Sequence, residues 1–324
     1  MAGMVTHIEI PNHRFERIAC PVCGSGDQRL VISVLYGELK QKKGLDYSAV
    51  GIRSDTRLYV KECIECGFVF VNPRIKKEYE DIVYNECKKK MYEKKKALYD
   101  PDSSAFLIET RERKFAYVGP LLEAMAHMNL KKKDLVLFDY GCGIGNSMRL
   151  GIAFGMDAYG VDIDAKRLDI CRRLGLKVAH PDRFDRSFPK IKADIILWQS
   201  NIEHVVDPRS AMNYITQKAT PGAVLYVNGL TPKVIFLEKK QGLFVKAHFV
   251  EHINYFPIRT LDRFAAAFGW RPIHYTNMKI LKNLRDVLRT GMAFCAAGVL
   301  GHVTYRGYFR RLYRYDGKAD GNGI

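Results

Sequence analysis

Short runs of apolar residues recur along the middle of the chain, separated by polar stretches of helical length. Runs that do not alternate with polar residues are typical of strands buried on both faces of a parallel sheet. Strands that alternate with helices predict an α/β fold, with helices packed on the sheet. The predicted strands lie at residues 135–138, 157–162, 176–180, 195–198 and 221–232.

A glycine-rich turn follows the first of these strands, in the segment FDYGCGIGN (138–146). Gly141, Gly143 and Gly145 can adopt backbone angles closed to other residues and let a ligand lie against the main chain. A helix that begins at Asn146 would present free N–H groups to negative groups of that ligand. The dinucleotide pattern G-x-G-x-x-G would need glycine at position 146. The segment therefore predicts a nucleotide-type cradle, and a tight turn without a ligand is the alternative.

Polar residues stand where the second and fourth predicted strands end. Asp162 follows the glycines by roughly 20 residues, the separation at which a carboxylate accepts hydrogen bonds from ribose hydroxyls. The alternative is that Asp162 caps the next helix, a role that Asp164 could fill instead. Gln199 and Ser200 lie at the tip of the fourth strand, and open α/β sheets bind ligands at such carboxyl ends.

The stretch from about residue 135 to 278 resembles the class I S-adenosylmethionine (SAM)-dependent methyltransferases. The resemblance rests on the order and content of FDYGCGIGN, GVDID, IEHVVDP, PGAVLYVNG and EHINYFPIRTLDRFAAAFGW. It implies a Rossmann-like sheet, SAM as cofactor and methyl transfer as the reaction. It places the loop after the third strand near adenine, where Asp182 and Asp185 are both candidates. The residues implied to bind SAM are Asp139, Gly141, Gly143, Gly145, Asp162, Ile163, Gln199 and Ser200.

Four of the eight cysteines form two matching pairs, CPVCG (20–24) and CIECG (63–67). The C-x-x-C spacing lets both thiolates of a pair face one metal, and two pairs complete a tetrahedral zinc site. Four protein ligands leave no open position, so the Zn²⁺ is expected to be structural. A redox-active C-x-x-C is the alternative, and structural disulfides are not expected in a cytoplasmic chain. The predicted ligands are Cys20, Cys23, Cys63 and Cys66.

The cysteine pairs, a tyrosine-rich helical stretch and the SAM motifs together resemble a bacterial subgroup with an N-terminal zinc ribbon, whose members often act on sugars, surface glycans or natural products. Longer relatives that C-methylate nucleotide sugars carry a further C-terminal domain. This chain ends soon after WRPIHYTNM (270–278), which favours O- or N-methylation. The predicted parts are a four-cysteine zinc-ribbon module (1–75), a helical cover (76–130), the SAM domain (131–278) with a lid at 233–256, and a basic helical tail (279–324).

The chain is strongly basic, with 52 Lys and Arg against 35 Asp and Glu and a formal net charge of +17. This excess favours an anionic partner, which could be a small acceptor, nucleic acid or, through YRGYFRRLYRY (305–315), a membrane surface. No apolar stretch reaches the ~20 residues needed to span a bilayer. The N-terminus also lacks an apolar signal core. We therefore expect a cytoplasmic protein, either free or peripheral at the inner face of the membrane.

Histidines follow the fourth and fifth strands, near the place where the methyl group would lie. His204 lies in IEHV, and His248, Glu251 and His252 lie in HFVEHINYF (248–256). Histidine titrates in the range that suits a base acting on a hydroxyl group. We therefore predict that these four residues are catalytic and favour His252 as the base, the alternative being helix capping or backbone binding. Quinone-ring O-methyltransferases of this fold use a glutamate three residues before EH to bind a divalent metal, and Ser200 stands there, so metal assistance is not expected.

These patterns predict a SAM-dependent methyltransferase that O-methylates a sugar, a glycan or another small anionic metabolite. An RNA methyltransferase is the first alternative, favoured by the charge and by zinc-module rRNA enzymes. A non-catalytic SAM-fold binding module is the second, and the intact glycine loop and Asp162 argue against it.

The acceptor is expected to lie between the sheet edge and a cover. Aromatic residues of the predicted lid could exclude water from it, and lysines nearby favour an anionic acceptor. Tyrosines of the helical cover could complete the enclosure. The aromatic residues of the lid are Phe236, Phe244 and Phe249, and the lysines are Lys239, Lys240 and Lys246. The tyrosines of the cover are Tyr84, Tyr92 and Tyr99.

Overall fold

The computed structural model describes residues 11–39, 45–128, 132–240, 244, 247–273 and 308–317. Within these ranges the chain forms three sheets and the helices that flank them. The strands are β1 (Phe15–Glu16), β2 (Gln28–Leu35), β3 (Arg57–Cys63), β4 (Val69–Val71), β5 (Arg74–Ile75), β6 (Val136–Tyr140), β7 (Asp157–Val161), β8 (Lys177–Ala179), β9 (Ala193–Gln199), β10 (Ala219–Leu230), β11 (Asn254–Tyr255), β12 (Trp270–Pro272) and β13 (Tyr308–Tyr315). The helices are α1 (Glu80–Asn85), α2 (Lys89–Lys94), α3 (Ser104–Met125), α4 (Asn146–Ala153), α5 (Ala165–Arg173), α6 (Pro181–Ser187), α7 (Pro208–Lys218), α8 (Lys233–Lys240) and α9 (Ile258–Ala266).

The largest sheet has seven strands in the order β12-β13-β10-β9-β6-β7-β8. The pairs from β10 through β9, β6 and β7 to β8 are all parallel. These are the five strands predicted from the apolar runs, so the predicted α/β sheet is confirmed. Because they run in one direction, the carboxyl ends of β6, β7 and β9 meet at one edge, where the glycine turn and Asp162 lie.

A second sheet, of order β11-β4-β3-β2, is built mainly from the N-terminal part of the chain. Its edge strand β11 comes from far along the sequence and pairs with β4 in antiparallel register, Asn254 opposite Phe70 and Tyr255 opposite Val69. The residues just before β11 are the predicted catalytic Glu251 and His252. The strands of the N-terminal module are therefore hydrogen-bonded to the segment that carries part of the candidate site.

Apolar side chains fill the space between these layers. One cluster joins the two C-x-x-C pairs and Phe68 to Trp198 of β9 and Phe256 beside β11. Another packs beneath α4 and α5 against the opposite face of the large sheet. Burial of this apolar area is the main stabilising contribution, and it ties the N-terminal module to the sheet.

The C-terminal tail is not helical where the structure describes it. Residues Tyr308–Tyr315 form β13, which pairs antiparallel with both β10 and β12. The helix prediction was wrong here because β10 offers a long edge and the tyrosine-rich segment can pair with it, burying Leu312 and Tyr313. Residues 279–307 and 318–324 of the predicted tail lie outside the described residues.

The arginines of β13 have partners within the protein. Arg311 pairs with Asp262 on α9 at 3.2 Å, and Arg310 lies 3.5 Å from Glu123 on α3. Arg314 donates a hydrogen bond to the carbonyl of His127. These contacts place the described arginines of 305–315 in the fold itself, and binding of the tail to a membrane or to nucleic acid stays a prediction. None of the described helices combines the length and the apolar character needed to cross a membrane.

Candidate active site

The glycine turn links β6 to α4 at the carboxyl edge of the large sheet. The N–H groups of Gly141 and Cys142 both donate to the carbonyl of Val161, at 2.8 and 2.9 Å, which holds the turn against the end of β7. Gly143 has a left-handed φ of 57°, and a Cβ atom placed there would meet no atom within 4 Å. Gly141 also has a left-handed φ, of 82°, and a Cβ there would lie 2.6 Å from Asn201. The turn thus needs glycine and leaves open space beside its main chain.

Asp162 is fixed to the glycine turn immediately after β7. One carboxylate oxygen accepts from the N–H of Gly143 at 2.8 Å, and the other accepts from the N–H of Asp164 at 2.9 Å. Asp164 accepts from Lys166 and Arg167 and so caps α5. The structure therefore separates the two roles weighed from the sequence: Asp164 is the helix cap, and Asp162 is held against the glycine turn. Its binding of ribose hydroxyls stays a prediction.

The predicted ligand-binding residues on β6 and β9 lie in different surroundings. Asp139 is buried, and burial together with the charge of Asp162 raises the pKa of its carboxyl group to about 7. Gln199 donates to the hydroxyl of Ser147 at 3.0 Å, beside the first turn of α4. Ser200 is exposed and donates its N–H to the side chain of Asn228 at 2.6 Å. Gln199 thus lies near the cradle, whereas Ser200 is bound to the neighbouring strand.

A cavity of about 550 Å³ opens in front of the turn. Gly141, Asp162 and Ile163 border it on the sheet side. Asp182 and Asp185 border it beyond β8, and Lys218 forms an ion pair with Asp185. The assignment of either aspartate to adenine stays a prediction. Carboxylates dominate the described lining, which comprises Glu78, Glu80, Asp81, Asp162, Asp182, Asp185 and Asp207 beside Lys77. Such a lining suits a ligand with net positive charge.

Three histidines from two segments come together beside this cavity. The ring centroid of His252 lies 4.5 Å from that of His204 and 4.1 Å from that of His248. His204 also borders the cavity. Burial, reinforced by the nearby His252, lowers the pKa of His204 well below its ordinary value, so this imidazole stays neutral. The structure thus brings together the three histidines predicted from the sequence.

Glu251 lies in the same group and is held by two residues that the sequence analysis missed. Its carboxylate forms a buried ion pair with Lys88 at 3.0 Å and accepts a hydrogen bond from the hydroxyl of Tyr47. Burial by itself would raise the pKa of Glu251, but Lys88 and the neighbouring histidines keep it well below its usual range. The Lys88 ammonium also lies 4.0 Å from the ring centre of Tyr84. Glu251 is therefore an anion in a buried setting.

Tyrosines of the predicted cover do approach the site. The ring of Tyr84 lies 6.3 Å from that of His204, and Tyr92 donates its hydroxyl hydrogen to Asp164. The aromatic residues of the predicted lid are arranged differently from our expectation. Phe236 is exposed, whereas Phe244 and Phe249 pack on each other at 5.6 Å within a buried cluster. Closure of the lid over a ligand stays a prediction, and Lys246 lies outside the described residues.

The four paired cysteines converge at the end of the N-terminal sheet where β3 finishes at Cys63. Cys20 and Cys66 have their sulfur atoms 3.6 Å apart, and Cys23 and Cys63 have theirs 3.5 Å apart. All four sulfur atoms lie within 4.8 Å of one another. Thr260 and Arg263 of α9 donate to the carbonyl of Cys66, which anchors the second pair to the large sheet's helical layer.

A glycine cradle, an acid bound to it and an open carboxyl edge are the parts that a class I SAM-dependent methyltransferase needs, and the protein is such an enzyme. Its sequence matches the family described as "Methyltransferase domain" over residues 109–275, which is more than half of the 324-residue chain. The chain belongs to this family, and SAM is its methyl donor.

Several solved structures are similar in fold at low sequence identity. The plantazolicin methyltransferase BamL matches with 14% identity and a TM-score of 0.48, over 69% of this chain and 94% of its own. A SAM-dependent methyltransferase from Archaeoglobus fulgidus matches with 15% identity and a TM-score of 0.39, over 65% and 100%. One from Mesorhizobium loti matches with 15% identity and a TM-score of 0.42, over 62% and 99%. No curated protein matches this sequence.

Proposed function

We propose that this methyltransferase O-methylates a sugar, a glycan or another small metabolite, with His252 as the general base. The observation that carries the proposal is the group of three imidazoles and one buried carboxylate beside the SAM cavity. A hydroxyl acceptor must lose a proton as it is methylated, and a neutral imidazole within hydrogen-bond reach can take that proton.

SAM fits the cradle because the open space beside Gly143, the bound carboxylate of Asp162 and the size of the cavity match its methionine and ribose parts. When bound there, SAM supplies a methyl group already activated by its positively charged sulfur. In the proposed arrangement Gly141, Gly143 and Gly145 hold the methionine part. Asp162 accepts from the ribose hydroxyls, with Ile163 alongside. Asp139 and Gln199 support the cradle, and Ser200 lies at the tip of β9, bound to Asn228.

The surroundings of His252 suit a base. Glu251 is ionised within the same group because Lys88 and Tyr47 satisfy its two oxygens, and its charge acts on His248 and His204. An anion next to an imidazole favours the protonated ring and so stabilises the product of proton transfer. Burial keeps His204 neutral. Its ring can therefore donate a hydrogen bond to the acceptor or accept one from it, without adding a positive charge beside His252. In this proposal Glu251 and His204 orient the base and the acceptor, and His248 packs on the ring of His252.

The nature of the acceptor is argued from charge. The carboxylate-rich cavity suits the positively charged donor. Lys239 and Lys240, in the last turn of α8, are the lysines that we expect an anionic acceptor to meet. The net charge of +17 also favours an anionic acceptor. Glycan biosynthesis and a cytoplasmic location stay predictions.

We also propose that the four-cysteine cluster holds one structural Zn²⁺. A tetrahedral ion with Zn–S bonds of 2.3 Å needs sulfur atoms about 3.8 Å apart, and the paired sulfur atoms already lie 3.5 and 3.6 Å apart. Four thiolates close the coordination sphere, which leaves no position for a substrate. The ion would brace the sheet whose edge strand β11 follows Glu251 and His252.

Transfer of label from methyl-labelled SAM to fractions of a host extract tests the proposed acceptor class. Label in a saccharide or small polar fraction supports the proposal. Label in RNA, lost steeply as salt rises, would show the RNA enzyme instead. SAM binding without label in any fraction would favour the non-catalytic module. Asp162→Ala, which weakens the cradle, serves as the control that should label little at limiting SAM.

A further inference from the structure

A second group of metal-binding side chains lies beside the cavity, apart from the four cysteines. Glu203, His204 and His252 each offer one donor atom, and these three atoms lie within 4.8 Å of one another. Glu203 and His204 follow β9, whereas His252 precedes β11. The backbone joins the two segments, because the carbonyl of Glu203 accepts the N–H groups of Ile253 at 2.8 Å and Asn254 at 3.1 Å. The approach of the three side chains is thus built into the fold.

Two of these side chains have buried atoms whose hydrogen-bonding capacity is not used within the described part of the chain. Glu203 is only 2% exposed, and its Oε2 atom has no hydrogen-bond partner among the described residues. The same is true of the Nδ1 atom of His204. A buried polar atom without a partner costs about 1–3 kcal/mol. Each such atom in a native protein calls for an explanation, and a bound ion or water that completes it is one.

We propose that Glu203, His204 and His252 form a second metal site, for a divalent transition ion such as Zn²⁺, and that an ion bound there stops methyl transfer. Two imidazoles and one carboxylate suit Zn²⁺ and similar ions, whereas Mg²⁺ and Ca²⁺ prefer oxygen ligands throughout. Three protein ligands leave a coordination position open on the side of the cavity that His204 borders. The site is therefore open, in contrast to the closed set of four thiolates.

The inhibitory part of this inference rests on the proposed function. A ring nitrogen of His252 that donates its lone pair to a metal ion cannot accept a proton from the acceptor. The sequence analysis expected no metal here because Ser200 replaces the glutamate used in quinone-ring enzymes. The structure supplies the third donor from His252 instead.

The binding test uses the full-length protein with its four-cysteine site already loaded with one equivalent of Zn²⁺. Calorimetric titration with further Zn²⁺ should show a second equivalent. In Glu203→Gln this second event should weaken by at least about tenfold, since even residues that only support a ligand cost that much when changed. The exposed Glu93→Gln is the matched control and should bind as the wild type does. Absence of a second event in the wild type, or equal binding by Glu203→Gln, would overturn the site.

Two further measurements distinguish binding at this second site from binding at the four cysteines and from misfolding of the variant. Co²⁺ added to the zinc-loaded protein should give visible absorption without the strong thiolate bands that a four-cysteine site produces. If Glu203→Gln fails to fold, as shown by loss of the first zinc equivalent, His204→Gln replaces it in the binding test alone.

Label transfer from SAM, measured with the extract fraction that accepts it, then separates this inference from the proposed function. Added Zn²⁺ should stop transfer by the wild type and by Glu93→Gln but not by Glu203→Gln at the same concentration. A second equivalent that binds without slowing transfer would leave the metal site in place and overturn both the inhibition and the role of His252 as base.

Discussion

Two groups of side chains in the described part of the chain offer metal-ligand atoms, and they differ in how they are built. The four cysteines lie at the tips of two local turns, with sulfur pairs 3.5 and 3.6 Å apart, sealed between the N-terminal sheet and α9. Glu203, His204 and His252 come from two distant segments and lie beside an open cavity. A closed group of four ligands suits a structural role, whereas an open group of three suits chemistry and exchange.

The largest expected effect comes from breaking the closed group. Cys63→Ser should lose the zinc equivalent and unfold the N-terminal sheet, because structural zinc sites in small domains contribute about 10–16 kcal/mol of binding energy to folding. Elemental analysis and thermal unfolding measure both effects. Cys87→Ser, at a buried cysteine outside the pairs, is the matched control and should keep the zinc. A Cys63→Ser protein with full zinc content and unchanged melting would refute the assignment.

A smaller but still large effect is expected at the ion pair that supports the open group. Lys88→Met leaves Glu251 buried without its cation, and removal of one partner of a buried pair costs about 3–5 kcal/mol. Turnover should fall along with stability, because a neutral Glu251 no longer favours the protonated form of the neighbouring histidines. Lys90→Met removes an exposed pair with Asp46 and should leave stability close to that of the wild type.

The pH dependence of turnover and rescue by a second change sharpen the Lys88 prediction. If Lys88 acts only by keeping Glu251 ionised, Lys88→Met should alter the pH profile of turnover as well as its maximum. The double variant Lys88→Met with Glu251→Gln should recover stability, because neither charge is then buried alone. A single variant that melts early but keeps the wild-type pH profile would make Lys88 purely structural.

The SAM cradle should respond more mildly. Asp162→Ala removes a charged acceptor for the ribose and should weaken SAM binding by about 1–3 kcal/mol, the range for hydrogen bonds to a charged group. Calorimetry with SAM measures this, and the exposed Asp169→Ala on α5 is the control. Equal affinity in Asp162→Ala and wild type would count against the ribose assignment.

The parts that could be predicted from the sequence are those whose signal is local. The five parallel strands, the glycine turn and the two C-x-x-C pairs each lie within a short window, so apolar pattern and spacing were enough. Lys88 and Tyr47 could not be found this way. Lys88 stands in the run KKKMYEKKK, which looks like a solvated helix face, and only the packing of the cover against Glu251 buries it.

Two other features depend on contacts between distant segments. The tail segment YFRRLYRY has the charge of a basic helix and becomes a strand because the edge of β10 is there to pair with it. The open metal-binding group also needs His252 beside Glu203, and hydrogen bonds from the segment before and within β11 bring it there. Patterns within one window contain no information about such pairings.

The central claim is that His252 is the base of a SAM-dependent methyl transfer, and the most direct measurement is turnover of His252→Ala alongside its SAM affinity. The account predicts a fall in turnover of about 10²-fold or more, while calorimetry shows SAM binding nearly unchanged. The exposed His13→Ala should match the wild type in both. Wild-type turnover in His252→Ala, with the acceptor that takes up label, would contradict the account and leave His204 or His248 as the candidate base.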